Sequence, residues 1–148
     1  MSLPLRIVTP EKVAWEGAVD SITVPAWDGG LGILPGHAPL LAQMKEGVVR
    51  IREKGEERLL AVSGGFVEVL GGKVSLFAET AELADEIDAE RARQAAEAAQ
   101  KSLKTPAAGV LDEAALASLR RAMARLRAAE LARLTGGKHR SAGPHPHE

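Results

Sequence analysis

The sequence predicts a two-domain protein of class β + α, with an N-terminal antiparallel β-sandwich of about nine or ten strands and a C-terminal antiparallel two-helix hairpin. Over residues 1–84, short apolar runs alternate with turn residues every eight to twelve residues or so, whereas residues 85–134 are rich in alanine and helix formers. The charge changes at the same place, from 8 basic and 11 acidic residues before the boundary to 11 basic and 9 acidic residues after it. We therefore expect a sandwich at 1–84, a hairpin at 85–134 and a flexible tail at 135–148.

Composition narrows the classes of function. The 148 residues carry a net charge of −1, which argues against a general nucleic-acid binder. The chain has no cysteine, which excludes disulfides and thiolate metal sites. No window approaches the roughly 18 apolar residues needed to cross a bilayer, and no signal peptide is expected before Leu3. Any membrane association is therefore expected to go through another protein.

Period-two alternation of apolar and polar residues predicts the strands of the first domain. At residues 49–52, valine and isoleucine alternate with two arginines, so one face of that strand is expected to be buried and the other wet. Residues 53–56 are expected to close a hairpin, and Gly71–Gly72 form a two-residue loop of the kind that favours primed turns. All strand pairs are expected to be antiparallel.

Two helices are predicted after residue 84. Asp85 is expected to cap the first, which runs from 86 to about 103 because strong helix formers fill this stretch. Residues 105–109 are expected to break it, and a second helix follows from about 112 to 134, before Gly136–Gly137. The expected apolar stripes are Ile87, Ala92, Ala95, Ala96, Ala99 and Leu103 on the first helix, and Leu116, Leu119, Met123 and Leu126 on the second.

The contact between the two helices is mostly alanine on one side, and the second helix carries a basic face. An alanine buries about one methyl group, on the order of 0.8 kcal/mol. The hairpin is therefore predicted to dock weakly and to move, although alanine suits close helix packing equally well. A basic face is either simply solvated or suited to an acidic protein surface or a polyphosphate. The residues of that face are Arg120, Arg121, Arg125, Arg127 and Arg133.

The window at residues 27–41 has four glycines and two prolines, which exclude a helix. It also has five leucine and isoleucine residues, too many for a solvated loop. We expect a tightly folded crossover between strands that packs into the core. His37, the only histidine before residue 139, has apolar neighbours and is expected to satisfy a backbone group in a turn.

Three stretches, in this order, carry a family resemblance. Residues 28–29 and 31–41 read Asp-Gly and Leu-Gly-Ile-Leu-Pro-Gly-His-Ala-Pro-Leu-Leu, residues 63–69 read Ser-Gly-Gly-Phe-Val-Glu-Val, and residues 87–92 read Ile-Asp-Ala-Glu-Arg-Ala. Together they resemble the epsilon subunit of F-type ATP synthases, over most of the chain. The resemblance implies a central-stalk rotor subunit that couples proton transport to ATP synthesis and has no active site of its own.

The resemblance also implies partners and a location. The sandwich would bind the gamma subunit and rest on the membrane c-ring, at the cytoplasmic face of the bacterial inner membrane. The helices would insert towards the catalytic beta (and alpha) subunits and inhibit ATP hydrolysis through the basic face. Family members often have an acidic residue where this chain has Gly30, so the ring contact here would lack that charge. The implied partner interface is Asp28, Gly30, Leu31, His37, Ala38, Pro39, Leu40 and Leu41.

In some bacterial members of that family the folded hairpin binds ATP as a regulatory ligand. The matching positions here are Glu82, Ile87, Asp88, Arg91, Ala92, Arg121 and Arg125. The three arginines would meet phosphate, and Asp88 would contact the base or ribose. A further family arginine is Ala98 in this chain, and losing one cation is expected to weaken the site by about 1 to 3 kcal/mol.

No catalytic residue, metal site or obligatory cofactor is predicted. The sequence has neither a Gly-x-Ser-x-Gly elbow nor a Gly-Lys-Ser or Gly-Lys-Thr phosphate loop. His145 and His147 in the tail are a weak alternative for metal binding. Two other functions stay open, a freestanding β-sandwich binding module with an oligomerising helical tail and, third, an enzyme. The binding module explains neither residues 87–92 nor the arginine spacing, and the enzyme lacks a nucleophile–base pair.

Overall fold

The computed structural model describes residues 2–104 and 113–135. This part of the chain contains ten strands, β1 to β10, in two five-stranded sheets. The strands are Leu3–Val8, Val13–Val19, Ser21–Ala26, Gly29–Ile33, Leu40–Gln43, Gly47–Glu53, Glu56–Ser63, Phe66–Leu70, Lys73–Phe77 and Thr80–Leu83. A 3-10 turn at Ala84–Glu86 follows, then helix α1 at Ala89–Lys104 and helix α2 at Glu113–Thr135. The predicted class, a β-sandwich followed by two helices, is confirmed.

The first sheet has the strand order β2-β1-β9-β8-β5, and the second has the order β10-β7-β6-β3-β4. The expectation that every pair is antiparallel is wrong, because β1 and β9 run parallel, with Leu5 opposite Val74 and Ile7 opposite Leu76. Alternation of apolar residues indicates which face of a strand is buried but not its direction. Direction follows here from topology, since β1 lies between its hairpin partner β2 and the distant strand β9.

An aliphatic core fills the space between the two sheets. Leu5 and Ile7 of β1 are buried there, as are Val49 and Ile51 of β6. Trp15 is the one aromatic member of this core among the described residues. Full burial of a side chain of this kind contributes about 1.5 to 3 kcal/mol. The predicted alternation at residues 49–52 is therefore confirmed.

Both predicted hairpin loops are confirmed. Lys54 and Gly55 have φ angles of +53° and +79°, and Gly71 and Gly72 have φ angles of +59° and +75°. Positive φ at both central residues is the primed-turn geometry that matches the twist of the flanking strands. The Lys54 N–H also donates to Oδ2 of Asp20 at 2.9 Å, which joins this loop to the corner between β2 and β3.

The first helix begins later than expected, and its cap is Asp88 instead of Asp85. Oδ1 of Asp88 accepts hydrogen bonds from the N–H groups of Glu90 and Arg91, at 3.0 and 3.2 Å. Asp85 lies in the 3-10 turn, which ends at Ile87 in an extended conformation. Ile87 is buried against the sandwich, and this contact interrupts the helical path that local propensity favours.

Helix α2 lies on β6 and β7 and packs beside α1. The apolar stripe predicted for α2 is wrong at Met123, which is 57% exposed. On α1, Ala92 and Ala99 are buried as expected, but Ala95 is exposed. Alanine lets the helix backbone approach the sheet closely, and this leaves no room for a longer side chain. The buried residues of α2 are Ala122, Ala124, Ala128 and Ala129.

The window at residues 27–41 contains β4 and the start of β5, and no helix, as predicted. Ile33 is fully buried, but Leu34 and Leu41 are among the most exposed large apolar side chains of the described chain. Core packing of the whole window is therefore wrong for these two leucines, whereas the exposure of Leu41 is compatible with the partner interface expected there.

Several predictions fall outside the described residues. They are the helix break at 105–109, the helix start at residue 112, the Gly136–Gly137 stop and the histidine-containing tail from residue 136 onward. Neither of the two described helices is long and apolar enough to cross a membrane.

Candidate functional site

A cavity of about 310 Å³ lies where α1 and α2 meet the edge of the second sheet. Strands β7 and β10 form one wall, Ala95 of α1 contributes a second, and α2 forms the third. The polar residues of the wall are Ser63, Thr80 and Glu82 from the sandwich, and Ser118, Arg121 and Arg125 from α2. A site of this composition offers hydroxyl groups and two cations to an anionic ligand.

Glu82 and Arg125 form a two-point contact across this cavity. Nε of Arg125 lies 2.7 Å from Oε1 of Glu82, and Nη2 of Arg125 donates to Oε2 at 3.2 Å. The two side chains are 38% and 34% exposed, so solvent screens the pair only in part. Because Glu82 lies on β10 and Arg125 on α2, this contact joins the helix to the sandwich.

Hydroxyl groups line the rest of the cavity. Ser63 is the buried polar residue among the described ones, and its Oγ hydrogen-bonds to Oγ1 of Thr80 across the β7–β10 pair. Nη2 of Arg121 donates to the Ser118 hydroxyl at 3.2 Å, one turn away on α2. Sequence reasoning missed Ser63, Thr80 and Ser118 as site residues. The available signal was weak, since Ser63 is only a polar residue that ends an apolar strand.

The structure brings together only part of the predicted nucleotide set. Glu82, Arg121 and Arg125 line the cavity, but Asp88 and Arg91 are not part of its described wall. The Asp88 carboxylate caps α1, and Arg91 is exposed. Two further members of the set, Ile87 and Ala92, are buried in the cluster between helices and sheet and serve packing.

The predicted basic face divides around α2. Arg125 points to Glu82, and Arg121 lines the same cavity. Arg120 and Arg127 instead line a wider groove of about 630 Å³ on another side of the helix. Arg133 is exposed in the last turn of α2. The other residues of the groove include Trp27, Lys45, Glu46, Met123 and Glu130.

The predicted partner interface lies on the edge strands β4 and β5 and in the loops beside them, and it is mostly accessible. Asp28, Gly30, Ala38, Pro39 and Leu41 are exposed, whereas Leu31, His37 and Leu40 are partly buried. Nδ1 of His37 donates to the carbonyl oxygen of Ala38 at 2.7 Å, and the His37 N–H donates to the carbonyl oxygen of Leu34 at 3.1 Å. The predicted turn geometry of this histidine is therefore found.

Exposed apolar side chains also lie on the outer face of the first sheet, to which Leu41 of this interface belongs. Leu41 of β5 is 68% exposed, and Phe66 and Leu70 of β8 and Phe77 of β9 are exposed on the same face. The rings of Phe66 and Phe77 lie 5.1 Å apart between centroids. We call these four residues the outer apolar face. Sequence reasoning missed three of them, although a strand with apolar residues at consecutive positions indicates burial on both sides.

Among the described residues, no group of three or more histidine, cysteine or acidic side chains is placed to hold a metal ion. The model of the ATP synthase delta/epsilon chain β-sandwich domain matches residues 2–84, and the model of the long α-helix domain of the same chain matches residues 85–130. The chain belongs to this family.

Curated relatives of this chain belong to the same family. The chain is 48% identical over 130 residues to the ATP synthase epsilon chain of Moorella thermoacetica, covering 86% of this chain and 96% of the relative. It is 46% identical over 126 residues to the ATP synthase epsilon chain of Halalkalibacterium halodurans, covering 84% and 95%. The resemblance drawn from the sequence motifs is confirmed, and the chain is a rotor component of ATP synthase.

Two solved structures share the fold. A chain in the Euglena gracilis mitochondrial ATP synthase, solved as an OSCP/F1/c-ring assembly, matches with a TM-score of 0.72 and 25% identity over 88% of this chain and 81% of that one. A chain in the central stalk and c-ring assembly of the Tetrahymena thermophila enzyme matches with a TM-score of 0.55 and 16% identity, covering 89% and 96%. The second likeness bears on the fold alone.

Proposed function

We propose that this chain is a non-catalytic subunit of the central stalk that couples proton transport to ATP synthesis by joining the gamma subunit to the c-ring. The outer apolar face is the observation that carries this proposal. Leu41, Phe66, Leu70 and Phe77 are exposed on one face of the first sheet, where Phe66 pairs with Phe77 and Leu41 lies opposite Glu68. Soluble monomers rarely leave several large apolar side chains uncovered on one face. Leu41 belongs both to this face and to the window at residues 27–41, which suggests a single gamma contact.

The ring contact is assigned to the opposite end of that window. Trp27 and Asp28 are exposed at the turn between β3 and β4, beside the glycine-rich strand β4. A contact made here relies on the Trp27 ring, on backbone groups and on the Asp28 carboxylate two residues before Gly30, because Gly30 itself supplies no charge. The proposed location is the cytoplasmic face of the bacterial inner membrane, where its partners would hold the chain.

Helix α2 is assigned the regulatory role. Arg120, Met123 and Arg127 are exposed along its length, so the helix presents cations and one large apolar side chain to a partner. Such a surface is complementary to acidic segments of the catalytic beta and alpha subunits. The proposed result is inhibition of ATP hydrolysis when α2 leaves the sandwich.

The experiment that tests the stalk assignment is co-purification with gamma. Leu41→Asp places a charge in the outer apolar face without touching the core, so we expect a tenfold or greater loss of gamma binding, equivalent to about 1.4 kcal/mol or more. Leu134→Asp, which changes another strongly exposed leucine, on α2, is the matched control and should bind normally. Unchanged recovery of gamma with Leu41→Asp would contradict the proposal.

A second candidate function, ATP sensing, is favoured by the cavity that Arg121 and Arg125 line. A phosphate group can accept hydrogen bonds from both guanidinium groups, and the hydroxyls of Ser63, Thr80 and Ser118 can meet ribose or base. Binding there would stabilise the folded hairpin, because the ligand would contact sheet and helix together. Calorimetry of the full chain with ATP tests this, with a dissociation constant expected around the millimolar range. No heat at that concentration would contradict it.

A further inference from the structure

One of the two arginines that line the cavity already has an anionic partner. Both carboxylate oxygens of Glu82 face the Arg125 guanidinium, at 2.7 and 3.2 Å. Arg121, on the same cavity wall, contacts the Ser118 hydroxyl and makes no ion pair with any residue in the described part of the chain. Without ligand, the charge of Arg125 is therefore neutralised by a carboxylate, whereas Arg121 has no ion-pair partner among the described residues.

We infer that Glu82 is a built-in competitor of the nucleotide for Arg125. The inference rests on the proposed ATP site and reverses the role that the family resemblance implies for Glu82. A phosphate that takes the guanidinium fork of Arg125 must displace the Glu82 carboxylate or lie beside it, against like-charge repulsion. In either case Glu82 lowers the affinity for an anion, whereas a true nucleotide ligand would raise it.

The same contact has a consequence for the helix without ligand. It joins β10 to α2 across 43 residues of chain, beside a helix seam made of alanine. Glu82 therefore helps to hold α2 on the sandwich when no nucleotide is present. When a nucleotide binds, its phosphate replaces the Glu82 carboxylate as the anionic partner of Arg125. The folded hairpin therefore gains less stability than the number of phosphate contacts suggests.

Removing the competitor should tighten anion binding. We propose calorimetry of the full chain with ATP and, separately, with inorganic tripolyphosphate. Glu82→Gln keeps the shape of the side chain and removes its charge, and we expect both ligands to bind about two- to fivefold more tightly, as suits a partly exposed ion pair. Glu82→Ala should act in the same direction. Glu86→Gln, an equal charge change in the exposed 3-10 turn, is the matched control and should leave both affinities unchanged.

Hydrogen exchange of the α2 amides without ligand provides the second measurement. Exchange should be about two- to fivefold faster in Glu82→Gln than in the parent or in Glu86→Gln, because one anchor of the helix is lost. Slow exchange elsewhere in the sandwich would show that the variant is folded.

The outcomes separate this inference from the ATP site itself. Tighter binding in both Glu82 variants supports the inference about Glu82 and the proposed ATP site. Weaker or equal binding in these variants overturns the inference and leaves ATP sensing standing. Binding that appears only in the Glu82 variants supports the inference and contradicts ATP sensing by the parent chain. Absence of binding in every variant at about 10 mM ligand overturns both.

Discussion

Gly65 passes so close to Phe77 that a β-carbon added to the glycine would lie 1.8 Å from the Phe77 carbonyl oxygen. The backbone of Gly65 also has a φ angle of +97°, a conformation that other residues rarely adopt. Its carbonyl oxygen accepts a hydrogen bond from the Met44 N–H at 2.8 Å. The backbone just after β7 is therefore held against Met44 and against Phe77 of β9.

Replacing Gly65 should destabilise the sandwich. We expect Gly65→Ala to lower the free energy of unfolding by about 2 to 5 kcal/mol, because it combines overpacking with a strained backbone. Gly32→Ala is the matched control, since a β-carbon there meets nothing within 4 Å, and it should change stability by less than about 1 kcal/mol. Denaturant unfolding of the two variants compares them directly. Equal stability would mean that the chain near Gly65 can shift.

The alanine seam under α2 should resist a larger side chain. Ala128 is fully buried between α2 and the sandwich, next to Leu59 and Ala61. Ala128→Leu should release α2 from the sheet and speed amide exchange in that helix at least tenfold, because the helix cannot approach as closely. Ala114→Leu, at an exposed position of the same helix, should leave exchange unchanged. Similar exchange in both variants would rule out a tightly packed seam.

The sandwich should fold without the helices. The core between the sheets and the cluster under the helices share no buried residue, so deleting everything after residue 84 uncovers Leu59 and Ala61 but leaves the main core intact. We expect a cooperative thermal transition and normal assembly with gamma. The assembled complex should hydrolyse ATP at least as fast as the intact one. A chain that ends at residue 135 is the control, and a truncated sandwich that does not fold would show that the boundary is misplaced.

Two neighbouring arginines of α2 should differ in their effect on ATP. Arg121 lines the cavity of the proposed nucleotide site, and Arg120 lines the wider groove instead. Arg121→Ala should weaken ATP binding by about five- to tenfold, because a charge-assisted contact with phosphate is lost, whereas Arg120→Ala should leave it within about twofold. Raised salt should weaken binding in the parent. The affinities are measured by calorimetry. Equal losses of ATP affinity in the two variants would show that the nucleotide does not bind in this cavity.

Much of the fold could be predicted because short-range patterns encode it. Alternation at residues 49–52 identified the buried face, and Lys54–Gly55 and Gly71–Gly72 supplied the positive φ angles that their loops require. The residues of the candidate site were harder to predict from the sequence. Arg121 and Arg125 were found through family motifs, but Ser63, Thr80 and Ser118 carry no distinctive sequence signal, since hydroxyl residues occur in strands and helices of every kind.

By itself, then, the sequence determined the two-part architecture, the positions of the turns and the family, because local sterics and motif residues act over a few positions. Tertiary structure decided which distant elements meet. It set β1 parallel to β9, moved the helix cap from Asp85 to Asp88 by burying Ile87, and paired Glu82 with Arg125. Each of these depends on contacts between segments far apart in the chain, and no local pattern specifies such contacts.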